Sequence, residues 1–385
     1  MSTHPPAVPL VLFSVANLVL GTGAFVLGGI LGDVSRDLGI SIASAGQAMT
    51  AYALATAFLA PLLLVATGRL NSKHSMALSL GVFALGNLVC ALATGLPMLL
   101  AGRVLMGAGA MFTPLAAGMA VAGTPVAQRG RALSLVFLGI SMSYVVGLPL
   151  GNWLAALQSW RLPIFVIAGA SGVMLLALMW RVPDALRSPP ASFQGVGQLI
   201  RQREVALTLG LTLLYFTAIF NVFAYIGPVL NALGTTSVAR VSMTLLLFGL
   251  SGVAGTLLGG MGTDRLGPVK TLRLQLGFFL LAQCALPFTE GHYGLMLAML
   301  LTWGTAGFGM MPPQQTRLAA ASPAHAPLLL SLNTSMLYLG TAAGAIVGGL
   351  SSHGLGFAHQ AWASIPFTVA GLLTLFLSRH GRATA

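Results

Sequence analysis

Twelve apolar stretches, each about as long as a membrane-crossing helix, constrain this chain more than any other feature. They lie near 10–32, 45–67, 75–95, 98–122, 132–157, 161–180, 206–230, 241–262, 272–289, 292–312, 327–350 and 360–378. A helix needs about 20 predominantly apolar residues to span the hydrocarbon core. The runs use most of the chain, so no soluble domain fits beside them. Composition agrees: the chain is 56% hydrophobic and 6% charged, against about 25% charged in a soluble domain. So few charges cannot cover a water-facing surface, which excludes an ordinary soluble enzyme and a disordered chain. The 48 glycines and 20 prolines suit membrane helices, where both residues are commoner than in soluble ones. The expected fold class is an all-α membrane protein with twelve transmembrane helices.

The formal net charge is +12. Nucleic-acid binding would need a basic patch on an exposed face, whereas these cations fall in short gaps between apolar runs. With the N-terminus inside, the inner gaps and tail hold Arg69, Lys73, Arg129, Arg131, Arg181, Arg187, Arg201, Arg203, Arg265, Lys270, Arg273, Arg317, Arg379 and Arg382. The outer gaps hold only Arg36, Arg161 and Arg240. This bias predicts that both termini are cytoplasmic. Met1 to Pro9 lacks the basic start of a cleaved signal peptide. Cys90 and Cys284 each lie inside an apolar run, so no disulfide framework or metal site is expected. No cofactor is expected either. There is no Gly-x-x-x-x-Gly-Lys-Ser/Thr loop to point to ATP drive, no His-Glu-x-x-His, no Cys-x-x-Cys and no nucleophile elbow.

The chain also repeats itself. Thr67-Gly68-Arg69-Leu70 and Thr263-Asp264-Arg265-Leu266 each follow the second span of a half. The same shift lays the first span on the seventh, the fourth on the tenth and the fifth on the eleventh. The expected organisation is a six-helix half over 1–180, a cytoplasmic linker over 181–204 containing Pro183, Pro189 and Pro190, and a second six-helix half over 205–385. Parallel halves about an axis normal to the membrane are the plan of a rocking transporter, with its site near midplane between the halves. A membrane enzyme or sensor built on a duplicated bundle is the competing class. It would need a catalytic cluster or an appended domain, and the sequence offers neither.

Several motifs carry a family resemblance. Arg103-Val104-Leu105-Met106-Gly107 places an arginine in the fourth span, and Gly139 to Gly151 includes Gly147-Leu148-Pro149-Leu150-Gly151 in the fifth. Gly260-Met261-Gly262-Thr263-Asp264-Arg265-Leu266-Gly267 stands between the second and third helices of the second half. Ala51-Tyr52-Ala53-Leu54, Phe223-Ala224-Tyr225-Ile226-Gly227-Pro228, Gln315-Thr316-Arg317 and Ser331-Leu332-Asn333 fall in order around them. Over essentially its whole length the chain resembles the major facilitator superfamily, in its drug/proton antiporter branch, and is similar to bacterial arabinose/sugar-efflux-like and drug-efflux permeases. The resemblance implies a monomeric exporter of a small organic solute in a bacterial inner membrane. It also implies alternating access, with protons as the coupling partner.

The residues themselves bound what such a protein can do. Arg103 is the one Lys or Arg placed within a span. Its guanidinium stays charged, and an intramembrane charge is costly unless paired or wet. Two readings stand: a coupling or anion-binding group, or a side chain that snorkels to the outer surface. Gly147, Pro149 and Gly151 combine close backbone approach with a proline kink, which suits either a seal on the pathway or simple packing like that of Gly340, Gly344 and Gly348. Asp264 beside Arg265 is, by the resemblance, a helix-capping inner latch; alone it is a solvated loop charge. Its counterpart in the first half is Gly68. The acids Asp33, Asp37, Asp184, Glu204, Asp264 and Glu290 all fall at span ends or in loops, and every His lies in a tail or loop. The family's first-helix acid slot is Ala24, and Ala110 stands where the branch often has histidine. Asp33 is the remaining proton candidate; otherwise it is an interfacial charge beside Arg36, and the chain is an uncoupled facilitator or importer. The solute-contact pool is Asn17, Tyr52, Met106, Phe112, Tyr144, Asn221, Tyr225, Trp303, Gln314 and Asn333, each also suited to interhelical packing. Aromatics, methionine and amides suit a neutral or weakly polar organic molecule.

Overall fold

The computed structural model describes residues 8–68, 70–125, 129–184, 196–322 and 326–378. Arg69, Arg187, Pro189, Pro190, Arg379, Arg382, His4, His325 and His380, all used above, lie outside the described residues. Twelve helices are long and apolar enough to cross a membrane: α1 Leu10–Leu38, α2 Ile42–Ala66, α3 Ser72–Ala91, α4 Leu96–Ala122, α5 Arg131–Leu157, α6 Arg161–Arg181, α7 Arg203–Phe223, α8 Val238–Leu266, α9 Pro268–Thr289, α10 Tyr293–Ala321, α11 Leu329–Leu355 and α12 Gln360–Leu377. The described residues contain no strand. The expected all-α, twelve-helix fold is the one observed.

Local chemistry sets the ends. Ser41 caps α2 by accepting the Ser44 N–H at 3.0 Å, and Asn71 caps α3 by accepting the Lys73 N–H at 3.1 Å. Gly39 closes α1 in the left-handed region, at φ 63°. Gly267, at φ 80°, turns the chain from α8 into α9, where Pro268 takes the first helical position. Several helices run past the apolar runs that announced them. As α1 continues to Leu38, Asp33, Arg36 and Asp37 are helical. His74 and His353 lie in the first turn of α3 and the last turn of α11, not in loops. Arg317 is inside α10, so Arg103 is not the one cation within a span: the helix outruns its apolar stretch by several residues.

The chain forms two compact units. The first comprises Met1–Ser192 with Ser237–Gly249; the second comprises Phe193–Thr236 with Leu250–Ala385. In the first unit α1 packs on α5, α2 on α4, and α3 on α4 and α6. In the second, α7 packs on α11 and α12, and α9 on α10. The tightest crossings in both units are built on glycine. A Cβ at Gly139, Gly147 or Gly151 of α5 would collide with Ser14, Thr22 or Val26 of α1. A Cβ at Gly340, Gly344 or Gly348 of α11 would come within 2.5–2.7 Å of Leu213, Thr217 or Asn221 backbone or neighbouring atoms on α7 and α12. Small residues at helical spacing let two backbones approach closely, which is how helices gain contact in lipid.

Candidate functional site

The first unit centres on Arg103. Glycines place it there: a Cβ at Gly102 would lie 2.6 Å from Cys90 Sγ on α3, and one at Gly107 would lie 2.6 Å from the Tyr52 carbonyl on α2. With α4 pressed between its neighbours, Arg103 is 1% exposed. It does not snorkel. Nε donates to the Ala48 carbonyl at 3.1 Å, Nη1 to the Gly23 carbonyl at 2.8 Å and Nη2 to the Ala24 carbonyl at 2.6 Å. The thioethers of Met49 and Met106 sit 3.4 and 3.8 Å from Nη2 and Nη1, and the Tyr52 ring centroid is 4.8 Å from the guanidinium carbon. A guanidinium has five N–H donors, and each finds an acceptor. All the acceptors are neutral. The fork therefore ties α1 and α2 to α4 without a carboxylate, and its donors are already committed.

Other members of the pool in this unit also bridge helices. Asn17 donates to the Val136 carbonyl at 2.9 Å and accepts from Thr113 at 2.7 Å, joining α1 to α5 and α4. Phe112 meets Phe13 edge-on at 6.3 Å. Tyr144 is half-buried and stacks on Phe25 at 5.1 Å. It lies in a π-helical turn, Ser143–Gly147, just before Pro149. The proline supplies no N–H, so the register widens there, a device frequent at functional sites. The first part of α8 packs on this region: Asn152 donates to Ser242 at 2.9 Å, and a Cβ at Gly249 would strike the Tyr144 carbonyl.

The second unit is bridged by amides and hydroxyls. Thr212 of α7 donates to Asn333 of α11 at 2.5 Å, and Gln314 of α10 donates to Thr212 at 2.9 Å and to the Thr208 carbonyl. Arg317 donates to Gln314 Oε1 at 3.3 Å and to Ser378 at 3.0 Å. Lower on α7, Asn221 donates to the Gln360 carbonyl at 2.9 Å and to Ser364 at 2.7 Å. Tyr225 donates to the Ala345 carbonyl at 2.9 Å. Trp303 packs edge-on against Phe279 at 4.9 Å. The pool thus falls into separate clusters, with Tyr52 and Met106 around Arg103 and Gln314 with Asn333 on Thr212. Thr212, Met49 and Gln360 join them although the sequence did not single them out, and Arg317, quoted above only within a motif, joins Gln314. The proximity of Arg317 to Gln314, three residues away on one helix, was the available signal.

The acids divide by partner. Asp37 pairs with Arg161 and accepts from the Trp160 ring N–H at 3.1 Å, and Asp184 pairs with Lys73 at 3.4 Å. Asp33 pairs only with Arg36, one turn along α1, at 3.4 Å, and half of its side chain is exposed. Asp264 and Arg265 are exposed beside Gly267. Among the described residues Asp264 has no ion-pair partner.

Twelve apolar spanning helices, packed within each unit through glycine crossings and carrying polar clusters in their interior, define a multi-pass membrane carrier. Residues 13–345 match the Major Facilitator Superfamily profile, and the chain belongs to that family. It is a transporter of small solutes and not an enzyme. It is 27% identical to the "Inner membrane transport protein YdhP" of Escherichia coli K12, over 96% of this chain and 95% of that one. It is 28% identical to the "Chloramphenicol resistance protein" of Streptomyces lividans, over 98% and 97%. Its fold is similar to that of a bacterial homologue of the human lysosomal transporter Spinster, in an inward-facing and occupied conformation, with a TM-score of 0.81, 15% identity and 96% of both chains covered.

Proposed function

We propose that the protein exports a small, neutral or weakly polar organic solute by alternating access, in exchange for protons. The observation that carries this reading is the neutral cage of Arg103. A cation whose donors are all used offers no hydrogen bond to an anionic solute, and no acid shares its surroundings to attract a cationic one. The polar members of the solute-contact pool are themselves uncharged, among them Tyr144, Gln314 and Asn333. Similarity to a chloramphenicol resistance protein supports outward transport. Both termini are cytoplasmic in this reading, and the protein works as a monomer.

Arg103 acts as a positioning residue. Gly147, Pro149 and Gly151 hold the α1–α5 crossing, and Asp264 with Arg265 serves the inner latch. Asp33 binds the proton, because Asp37 and Asp184 are tied to cations on other elements while Asp33 has only a neighbour on its own helix. A second reading, an uncoupled facilitator, is favoured by the exposure of Asp33. Everted vesicles with an acidic lumen, given a panel of labelled neutral solutes that includes chloramphenicol, test both. Antiport predicts accumulation above equilibrium, lost in Asp33→Asn while solute exchange persists. Equilibration without accumulation supports the facilitator, and unchanged pH-driven uptake in Asp33→Asn removes that residue from coupling.

A further inference from the structure

We propose that a groove on the lipid-facing flank of the second unit holds one acyl chain of an anionic glycerophospholipid, with its phosphate at Arg265 and Lys270. The groove has a volume of about 470 Å³ and lies between α8, α9 and α10. Leu258, Leu266, Leu274 and Phe278 line it and are all exposed, so it opens outward and not into the helix interior. Its floor is small, with Gly262 and Ala306. In a bilayer such a trough is filled by hydrocarbon, since lining atoms with no partner forfeit dispersion contacts. From Leu258 to Leu266 the groove runs about 12 Å along α8, at about 1.5 Å per residue. That is close to the depth of one leaflet of a core about 30 Å thick.

Its position in the chain selects the headgroup. The end of the groove marked by Leu266 and Thr271 is the turn at Gly267. Arg265 and Lys270 are both exposed there, against the single acid Asp264. Each near-surface cation strengthens anionic-lipid binding about 5-fold, so two give a preference on the order of tenfold or more over a zwitterionic lipid. None of this depends on which solute is carried.

The test is photolabelling of the full chain in liposomes with trace phosphatidylglycerol or phosphatidylcholine bearing a diazirine in the acyl chain, followed by peptide mapping. The expected result is label concentrated in peptides covering 258–278 and 301–306, on the order of tenfold stronger for phosphatidylglycerol. Excess unlabelled phosphatidylglycerol should compete, and glycerol phosphate should not. Leu274→Trp, which fills the groove from an exposed position, should remove the label. Arg265→Gln with Lys270→Gln should keep its location but bring the two lipids close to parity. Label spread evenly over the helices, equal labelling by the two lipids, or competition by glycerol phosphate would overturn the proposal. If Leu274→Trp lowers the melting temperature, the paired Gln substitutions decide alone.

Discussion

Arg103→Lys keeps the charge and most of the stem, yet the geometry predicts that it is worse than removing the charge altogether. The guanidinium bonds Gly23 and Ala24 on α1 and Ala48 on α2 at once, from three nitrogens fixed in one plane. An ammonium is a point charge and cannot span both helices in the same way. It gives up at least one charge-assisted bond, worth about 1.5–3 kcal/mol, and weakens the contact with Tyr52, worth about 1 kcal/mol. The charge stays buried and less satisfied. We expect a loss of about 3 kcal/mol, a fall of roughly 10 °C in the unfolding midpoint for a unit of this size. Arg103→Met removes the charge while filling similar space, and replacing a buried charge by an apolar residue is often neutral. The expected order of melting temperatures, measured on purified protein in detergent, is wild type, then Met, then Lys. A Lys variant that melts with the wild type, or a Met variant that melts below Lys, would refute the view that the fork's role is to pin the helices.

Gly147→Ala should cost about 1–3 kcal/mol through overpacking, because its Cβ would strike Thr22. Gly172→Ala in α6, where nothing lies within 4 Å, should be neutral or stabilise by up to about 1 kcal/mol; paired thermal melts check both. Thr212→Val should destabilise by about 1–2 kcal/mol, since it leaves both Asn333 and Gln314 short of a partner, and Thr212→Ser should restore most of the loss in the same melts. N-ethylmaleimide in mild detergent should add one mass increment per chain, at exposed Cys284, and a second, at buried Cys90, only after denaturation; intact-protein mass spectrometry reads the count.

The spans were legible because lipid imposes a length and a polarity on every crossing, and twelve apolar runs meet both. Their polar ends were less so. Nothing in composition says that α1 continues through Asp33 and Asp37, or that α10 continues through Arg317, because helix hydrogen bonding does not stop where hydropathy falls. The widened turn at Ser143–Gly147 was foreshadowed by Pro149 and its flanking glycines. The cage around Arg103 could not be foreseen, since three of its acceptors are backbone carbonyls and carry no side-chain signature. The pairs Asn17–Thr113 and Thr212–Asn333 join residues distant in sequence, and each partner alone reads as an ordinary polar residue in a helix.

The two units share a crossing and differ in their chemistry, and the difference has a physical reason. Where α5 meets α1 and α11 meets α7, any side chain larger than hydrogen would meet backbone or side-chain atoms of the partner helix, so the contact admits little variation in either half. The polar clusters carry no such restriction. One is organised by a cation on carbonyls, the other by amides and hydroxyls on one another. The Ala24 carbonyl explains how the first can exist without the acid that the family resemblance places at that position. A backbone acceptor 2.6 Å from Nη2 satisfies the guanidinium in every protonation state of the protein, so the helices stay pinned whether or not a proton is bound. Fastening and titration, which one Arg–carboxylate pair would couple, are separated in this chain. Any proton dependence must then enter through a group outside the cage, and for that reason Asp33→Asn and Arg103→Lys should fail in different assays: the first in pH-driven accumulation at normal stability, the second in stability.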